Sequence, residues 1–306
     1  MKISIVTPTF NEEENIVLLC KKIKNIMNNL KLDYEHIIID NCSTDQTQKV
    51  IKEMAIEDKN IKAIFNLHNY GQSRSPFYAM MNTTGNAVIW IDSDFQNPPE
   101  LIVDLIKKWK NGSQIVLLRR KKSDGNFFLK FIKFIFYYFM NFFSIDKPEP
   151  HTTGVGIYDK SAILVLKKIK DPMPYLRGLI FELGFDVSFI DYEQQERKFG
   201  YTKNNFFTLF DYALNGIVKH TKILRFMIYI GFILSILLFL ISFIFIILKL
   251  LFWNNFSLGI APLIIGLFFI GSIQILFLGL IGEYVSIILN YNKNLPLVIE
   301  KERINF

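Results

Sequence analysis

Two long apolar runs near the end of the chain constrain its fold more than any other feature. They cover residues 226–248 and 258–281, and neither contains a charged side chain. A helix of about 20 apolar residues crosses the roughly 30 Å hydrocarbon core of a bilayer, so each run is long enough to span it. Because only nine residues, 249–257, separate the runs, we predict a C-terminal transmembrane hairpin.

The charges beside the hairpin predict its orientation. Lysine and arginine lie on both outer flanks, whereas the connector carries a single lysine, Lys249. Basic flanks stay on the cytoplasmic side of a membrane, and the N-terminus lacks the features of a signal peptide. We therefore expect a multi-pass protein with its first domain on the cytoplasmic side, in a bacterial inner membrane. The predicted organisation is a cytoplasmic domain at 1–218, a basic linker at 219–225, the hairpin at 226–282 and a cytoplasmic tail at 283–306.

Short runs rich in Ile and Val alternate with segments of helical period over the first 118 residues, which is typical of α/β proteins. We predict strands at 2–7, 35–40, 61–65, 87–91 and 114–118, and helices that start near Glu12, Thr44, Gln72 and Pro98. Strands separated by helices form a parallel sheet, and such sheets bind ligands at the carboxyl ends of the strands. Polar residues do collect there, at 11–13, 40–45 and 92–94.

A basic and aromatic segment follows the predicted α/β region. Four cations at 119–122 precede a run rich in Phe and Tyr at 127–143, which contains Lys130 and Lys133. The run is short and charged for a transmembrane helix, so we predict an amphipathic helix that lies on the membrane surface. A core helix of the first domain is the alternative interpretation. The net charge of +7 fits attraction to anionic lipid, and we expect no nucleic-acid partner.

Two aspartates follow the apolar strand predicted at 87–91. The period of two along a strand turns Asp92 and Asp94 toward the same side. Carboxylate oxygens suit Mg²⁺ or Mn²⁺, and such ions usually bridge protein carboxylates to substrate phosphates. A solvated turn or a helix cap is the simpler interpretation of two acids at a strand end, so the wider sequence context has to decide between them.

That context resembles the family 2 glycosyltransferases in both the order and the spacing of several motifs, and it is most similar to the branch that acts on polyprenyl phosphates. The resemblance covers nearly the whole chain. The segments that carry it are VTPTFNEEEN at 6–15, IIDNCSTDQT at 38–47, NYGQ at 69–72, IDSDFQNPPEL at 91–101, RKFGYTK at 197–203 and GEY at 282–284.

The resemblance implies a GT-A fold, a Rossmann-like and mostly parallel sheet with helices on both faces, and it implies a role for individual residues. Pro8, Phe10, Glu12, Asp40 and Asp92 would bind the nucleotide; Asp92, Asp94 and Gln96 would hold Mg²⁺ or Mn²⁺; Asp92, Asp94 and His151 would be catalytic; and Arg119, Arg120, Lys130, Lys133, Arg197 and Lys203 would bind the acceptor phosphate.

The implied activity is the transfer of a sugar from a nucleotide-diphosphate sugar to undecaprenyl or dolichyl phosphate, with inversion. The donor favoured is a UDP-sugar, with GDP-mannose as the alternative. The product would be a lipid-linked monosaccharide for cell-envelope glycosylation. Membrane lipid is an implied partner, and small residues in the second apolar run would allow close approach of another copy of the chain in a homo-oligomer.

The sequence departs from the family pattern at two places. Asn41 and Cys42 replace an Asp-Gly pair after the second strand, which affects the expected contacts to the nucleobase and ribose. Where the family often has an acid before the last core strand, this chain has Glu149 and His151. Either could act as a base, although an acceptor phosphate is already an anion and needs none.

Two other functions remain open at the level of sequence. A processive polysaccharide synthase has the same fold, but its Q-x-x-R-W motif is incomplete here because Lys198 follows Arg197. A non-catalytic scaffold or flippase partner would not need the acids at 92 and 94. Neither alternative accounts for the full set of motifs.

Overall fold

The computed structural model describes residues 1–121, 151–195 and 260–306, together with residues 143, 149, 217–219, 221 and 222 and scattered positions between 226 and 251. The described strands and helices, in chain order, are β1 (Lys2–Thr9), α1 (Glu13–Leu30), β2 (Asp33–Asp40), α2 (Thr47–Glu57), β3 (Ile61–Asn66), α3 (Gly71–Met81), β4 (Ala87–Trp90), α4 (Leu101–Lys110), β5 (Ile115–Arg120), β6 (Thr152–Asp159), α5 (Lys160–Leu166), α6 (Leu176–Glu182), β7 (Val187–Tyr192), α7 (Ile260–Asn292) and β8 (Glu300–Ile304).

All described strands belong to one mixed sheet, in the order β7, β5, β6, β4, β1, β2, β3, β8. Strands β4, β1, β2 and β3 are parallel neighbours, and β5 is parallel to β7. Strands β6 and β8 run antiparallel to the strands that they pair with. The predicted α/β fold with a mostly parallel sheet is confirmed, and the five predicted strands correspond to β1 to β5.

Alternating side chains of the strands build one apolar layer on each face of the sheet. In β1, Ile3 and Ile5 pack with residues of α1 and α4, such as Leu19. Val6 points to the other face and packs with residues of α3, α5 and α6, such as Phe77. Complete burial of one such side chain contributes about 1.5–3 kcal/mol. Helices therefore cover both faces, as predicted.

Strand β6 was not predicted, although it separates β4 from β5 in the sheet. Its sequence contains two glycines and two threonines instead of a run of Ile and Val. Gly156 is required by packing, since a Cβ atom there would lie 2.1 Å from the backbone oxygen of Val116. Because β5 approaches so closely, β6 has glycine where other strands have Ile or Val, and the apolar pattern that predicts a strand is missing.

The helices begin close to their predicted positions, with two informative differences. Helices α1 and α3 start within one residue of Glu12 and Gln72. Helices α2 and α4 start three residues later than predicted, at Thr47 and Leu101. The segment between β2 and α2 and the segment between β4 and α4 form polar turns of the candidate site.

Residues 283–306, the predicted tail, contain the end of a helix and a strand. Helix α7 continues to Asn292, and residues 300–304 form β8, which pairs with β3 and completes that edge of the sheet. The last residues of the chain therefore belong to the same sheet as the first domain, which was predicted to end at 218. This edge strand was not predicted, because four of its five residues, EKERI, are charged and it has no apolar run.

Among the described residues, one helix is long and apolar enough to cross a membrane, over Ile273–Asn292. This segment overlaps the second predicted span and ends further along the chain. Described positions of the first predicted span, 226–248, are helical, but nearly half of that span lies outside the described residues. The predicted surface helix at 127–143 lies outside them except for Phe143, so the hairpin and the surface helix stay predictions.

Candidate active site

One edge of the sheet gathers the polar residues that the sequence singled out. Strands β1, β2, β4, β5 and β7 all end at this edge, because they run in the same direction. Antiparallel β6 begins there, directly after His151. Backbone bonds tie the strand ends together: Asn41 N donates to Thr9 O over 2.9 Å, and Ile91 N to Val6 O over 3.0 Å.

Asp92 is held by two neutral donors. The indole Nε1 of Trp90 donates to Oδ1 over 3.0 Å, and the amide Nδ2 of Asn97 donates to Oδ2 over 3.0 Å. Burial and the nearby charge of Asp94 raise the pKa of Asp92 from 3.8 to about 6. Neutral donors orient a carboxylate without cancelling its charge, so Asp92 keeps its attraction for a cation.

Asp94 closes the polar turn that follows β4. Its Oδ1 accepts a hydrogen bond from the backbone N of Gln96 over 3.1 Å, and only 9% of the residue is exposed. Phe95 between them adopts a left-handed conformation with a φ of 60°. The turn therefore brings two carboxylates and the half-buried Gln96 together at the sheet edge.

The donor set fits a divalent cation that shares its ligands with a substrate. Among the described parts of the chain, no group of three or more His, Cys, Asp or Glu side chains could hold a metal ion. Two carboxylates are typical of Mg²⁺ sites in which phosphate oxygens and waters complete the coordination. Asp92 and Asp94 match this pattern.

Two arginines lie close to Asp92. Arg120, at the end of β5, and Arg177, in α6, both favour the charged form of Asp92 and so oppose the rise of its pKa. A Cβ atom on Gly154 would lie 3.7 Å from the Arg177 side chain and 3.7 Å from the Trp90 ring, which places those two side chains around the same glycine. Sequence analysis missed Arg177, because no motif surrounds it.

Arg119 points to a different set of partners. Its guanidinium donates to both carboxylate oxygens of Asp191, over 2.6 and 3.1 Å, and to Glu149 over 2.6 Å. Two acids thus already surround this cation, whereas Arg120 lies near the acids of the site. The other predicted cations, Lys130, Lys133, Arg197 and Lys203, lie outside the described residues.

His151 lies at the start of β6 in a left-handed conformation, with a φ of 64°. Its backbone O accepts a hydrogen bond from Arg120 N over 3.2 Å. The structure therefore brings His151 to the same edge of the sheet as Arg120, and its catalytic role stays a prediction.

Asp40 lies at the end of β2, in the part of the site that is predicted to bind the nucleotide. It is fully buried, and its Oδ2 accepts from Ser43 N over 3.0 Å and from Gln48 Nε2 over 2.8 Å. Among the described residues, its Oδ1 has no hydrogen-bond partner. Burial raises the pKa of Asp40, although the bonds from Ser43 and Gln48 oppose this.

The end of β1 lies beside Asp40 and carries the other predicted nucleotide-binding residues. Thr9 is opposite Asp40 in the register of β1 and β2, between Pro8 and Phe10, which are both half-buried. Glu12 starts the next helix, and its Oε2 accepts from Asn15 Nδ2 over 2.7 Å. The structure thus places these residues along one edge of the sheet, from β2 across β1 to β4.

The structure explains why Asn41 and Cys42 can stand where the family pattern has an Asp-Gly pair. The side chain Oδ1 of Asn41 accepts from Tyr70 N over 2.8 Å and from Ser75 Oγ over 2.8 Å, so the amide holds the loop before α3. Cys42 has a φ of 65°, in the left-handed region that favours glycine. Asn41 therefore has a structural role, and Cys42 adopts the conformation of the glycine that the family has there.

The chain is similar to known proteins over its first 164 residues and over nearly its whole length. Residues 4–164 match the family model described as Glycosyl transferase family 2. The chain is 30% identical to a bactoprenol glucosyl transferase of Shigella phage SfX, over 99% of this chain and all of that protein. It is also 30% identical to a prophage bactoprenol glucosyl transferase homolog of Escherichia coli, over 94% of each chain.

A solved structure shares the fold at much lower identity. The glucosyl-3-phosphoglycerate synthase of Mycobacterium tuberculosis, in complex with Mn²⁺, uridine diphosphate and phosphoglyceric acid, superposes with a TM-score of 0.51 at 16% identity. The match covers 71% of this chain and 76% of that one. The likeness supports a GT-A fold.

Proposed function

Because this chain belongs to glycosyl transferase family 2, we propose that it moves a sugar from a nucleotide-diphosphate sugar to a polyprenyl phosphate. The product is a lipid-linked monosaccharide. The observation that carries the proposal is the position of Asp92, which lies near Asp94 and two arginines at the carboxyl edge of the sheet. Such a site has carboxylates for a cation and guanidinium groups for phosphate.

The nucleoside of the donor binds over β1 and β2. The unpartnered Oδ1 of buried Asp40 is an acceptor that a nucleobase N–H satisfies on binding. The imide N–H of uracil and the N1–H of guanine are both such donors, so the acceptor fits a UDP-sugar and equally the alternative donor, GDP-mannose. Pro8, Phe10 and Glu12 border the same position at the end of β1.

A divalent cation, Mg²⁺ or Mn²⁺, would be held by Asp92, Asp94 and Gln96 together with the donor diphosphate. When bound, it supplies positive charge that stabilises the leaving diphosphate. The two carboxylates would hold it at the end of β4, where neutral groups donate the hydrogen bonds that orient Asp92. Asp94→Asn removes one of these charges.

Arg120 and Arg177 position the acceptor. A phosphate oxygen of the polyprenyl phosphate forms a bond to the anomeric carbon of the sugar, while the bond from that carbon to the diphosphate breaks and its electron pair leaves with the nucleotide. Attack on the face opposite the leaving group inverts the anomeric centre. No proton has to be removed, because the acceptor phosphate is already an anion, so His151 has no required role as a base.

The lipid acceptor explains the apolar part of the chain. In this proposal α7 and the run at 226–248 anchor the protein as a hairpin in a bacterial inner membrane, with both flanks and the sheet on the cytoplasmic side. Lipid then presents the acceptor phosphate at the surface where Arg120 and Arg177 lie. Association of two copies through the small residues of α7 is compatible with this arrangement.

The full-length protein in detergent, supplied with undecaprenyl phosphate, Mn²⁺ or Mg²⁺ and a panel of nucleotide sugars, tests the proposal. Mass spectrometry of the lipid fraction should show one hexose added to the polyprenyl phosphate with one donor of the panel. Asp94→Asn should abolish the product, while Asp104→Asn on the exposed side of α4 should retain it. An undiminished product with Asp94→Asn would overturn the assignment of the site.

A further inference from the structure

A chain of hydrogen bonds joins Arg120 to Asp92 through two buried side chains. Nε of Arg120 donates to the hydroxyl of Tyr192 over 3.3 Å, and that hydroxyl contacts Oδ1 of Asn97. Nδ2 of Asn97 then donates to Oδ2 of Asp92 over 3.0 Å. Tyr192 and Asn97 are 5% and 1% exposed, so water does not compete for these bonds. We call these four side chains the Tyr192 relay.

The two ends of the relay fix the direction of every bond in it. A guanidinium only donates hydrogen bonds, and a carboxylate only accepts them. The hydroxyl of Tyr192 accepts from Arg120, so its own hydrogen goes to Oδ1 of Asn97. The Asn97 amide must therefore present its NH₂ group to Asp92. Reversing the amide would set its oxygen against the carboxylate.

Strand β7 is what brings Tyr192 to this position. It is parallel to β5, with Tyr192 opposite Arg120 in the register. Two backbone bonds lock the end of β7 in place: Lys121 N donates to Tyr192 O over 3.0 Å, and Gln195 N donates to Gln96 O over 3.2 Å. The second bond reaches the turn that carries Asp94, so β7 supports the acids in two ways.

We propose that Tyr192, acting through Asn97, is a positioning residue that orients the Asp92 carboxylate for a divalent cation. The inference rests on the proposed function, because it assigns the cation to Asp92. Tyr192 touches neither cation nor sugar in this assignment. Its role is to keep the NH₂ group of Asn97 on Asp92, which leaves the other lone pairs of the carboxylate for the cation.

Replacing Tyr192 by Phe tests the relay with little change of volume. Without the hydroxyl, Oδ1 of Asn97 loses its donor, and the amide is no longer held in the orientation that binds Asp92. Loss of an outer partner of a metal ligand typically lowers metal affinity 10- to 100-fold. We therefore expect the Kd for Mn²⁺ to rise about tenfold or more.

The measurement is a titration of the full-length protein with Mn²⁺ alone, followed by the electron paramagnetic resonance signal of free Mn²⁺. A second titration includes the nucleoside diphosphate of the donor that supports turnover. In transfer assays Tyr192→Phe should raise the KM for Mn²⁺, and kcat at saturating Mn²⁺ should stay within about threefold of wild type. A merely structural defect would lower kcat at every Mn²⁺ concentration.

The matched control is Tyr34→Phe. Tyr34 is also a buried tyrosine, but it lies at the beginning of β2, on the opposite edge of the sheet. It should leave the Kd for Mn²⁺ unchanged. Asn97→Ala interrupts the relay at its next member and should raise the Kd as Tyr192→Phe does, so it decides the question if Tyr192→Phe yields no folded protein.

Asp94→Asn separates the relay from the site itself. If Asp94→Asn weakens Mn²⁺ binding while Tyr192→Phe and Asn97→Ala leave it within about twofold of wild type, the relay has no positioning role and the proposed function stands. If Asp94→Asn also leaves Mn²⁺ binding unchanged, the cation site and the proposed function both fail. Weaker binding in all three variants, with an unchanged Tyr34→Phe, supports the relay.

Discussion

The half-buried carboxyl of Asp92 should make the metal-free protein less stable as the pH rises. In an unfolded chain this carboxyl has its ordinary pKa of 3.8, whereas burial and Asp94 raise the pKa to about 6 in the fold. Folding therefore favours the protonated form. This contribution to stability is fully present below a pH of about 3.8 and is lost as the pH rises through about 6. At 1.36 kcal/mol per pKa unit, the charged carboxylate costs the fold about 3 kcal/mol at most.

The substitution Asp92→Asn removes this pH dependence, because an amide does not titrate. Integrating the linkage relation between the two pKa values predicts that wild type loses about 1.4 kcal/mol relative to the variant between pH 5 and pH 8. For a domain of this size that is a change of about 3–6 °C in the difference between the two Tm values. The variant also sets an NH₂ group against Trp90 or Asn97, which costs about 1–3 kcal/mol at every pH.

Thermal unfolding of both proteins in detergent with a chelator, at pH 5, 6.5 and 8, measures the effect. Asp58→Asn is the control. Burial would raise the pKa of Asp58, but hydrogen bonds from Lys24 and Asn60 outweigh it and hold the pKa below its usual value. Asp58 is therefore charged in both the folded and the unfolded chain at pH 5 and above, so the Tm difference between that variant and wild type should stay constant from pH 5 to pH 8. An equal Tm difference between Asp92→Asn and wild type at pH 5 and pH 8, with Asp58→Asn behaving as expected, would refute the argument.

Four further substitutions test the site and the sheet. Arg120→Gln should raise the KM for undecaprenyl phosphate about tenfold or more in a transfer assay, since charge-assisted bonds contribute about 1.5–3 kcal/mol. Arg119→Gln is its control and should change this KM less than about threefold, because two acids already bind the Arg119 guanidinium. His151→Ala should leave kcat within about threefold, and a hundredfold fall would assign this histidine as a base. Gly156→Ala should lower stability by about 3 kcal/mol or more in thermal unfolding, because its Cβ would clash with the backbone oxygen of Val116.

The strands that the sequence predicted are those that depend on local pattern. Runs of Ile and Val mark β1 to β5, and the rule that parallel strands end at one edge brings Asp40, Asp92 and Asp94 together without knowledge of the structure. Strand β6 lacks an apolar run because close packing against β5 requires glycine, and β5 is distant in sequence. Its local pattern therefore did not predict a strand. The pair of glycines two residues apart, Gly154 and Gly156, was the available signal, since alternate glycines in a strand indicate close backbone approach.

The relay shows a second limit of sequence reasoning. Tyr192 and Asn97 are 95 residues apart. Asn97 lies within the motif at 91–101 but was given no role there, and Tyr192 belongs to no motif. Their meaning depends on the parallel pairing of β7 with β5, and β7 has the alternating composition of an ordinary strand. Motifs identify residues that contact ligands, whereas residues that hold those ligands in place are found only when the strand order is known.

The end of the chain contacts the rest of the domain at two places. Arg74 in the first turn of α3 donates to the backbone O of Pro296 over 2.9 Å and of Leu297 over 2.8 Å, in the loop between α7 and β8. The ion pair of Lys219 with Asp171 at 2.7 Å lies beside α7, since Nζ of Lys219 is 5.4 Å from the ring centroid of Tyr291. In the proposed function α7 lies in the membrane, and two contacts restrict rotation of the domain relative to α7 more than a single linker would. The proposed transfer needs this restriction, because a soluble sugar nucleotide and a lipid-bound phosphate can meet at the acids of β4 only if that edge of the sheet stays close to the lipid.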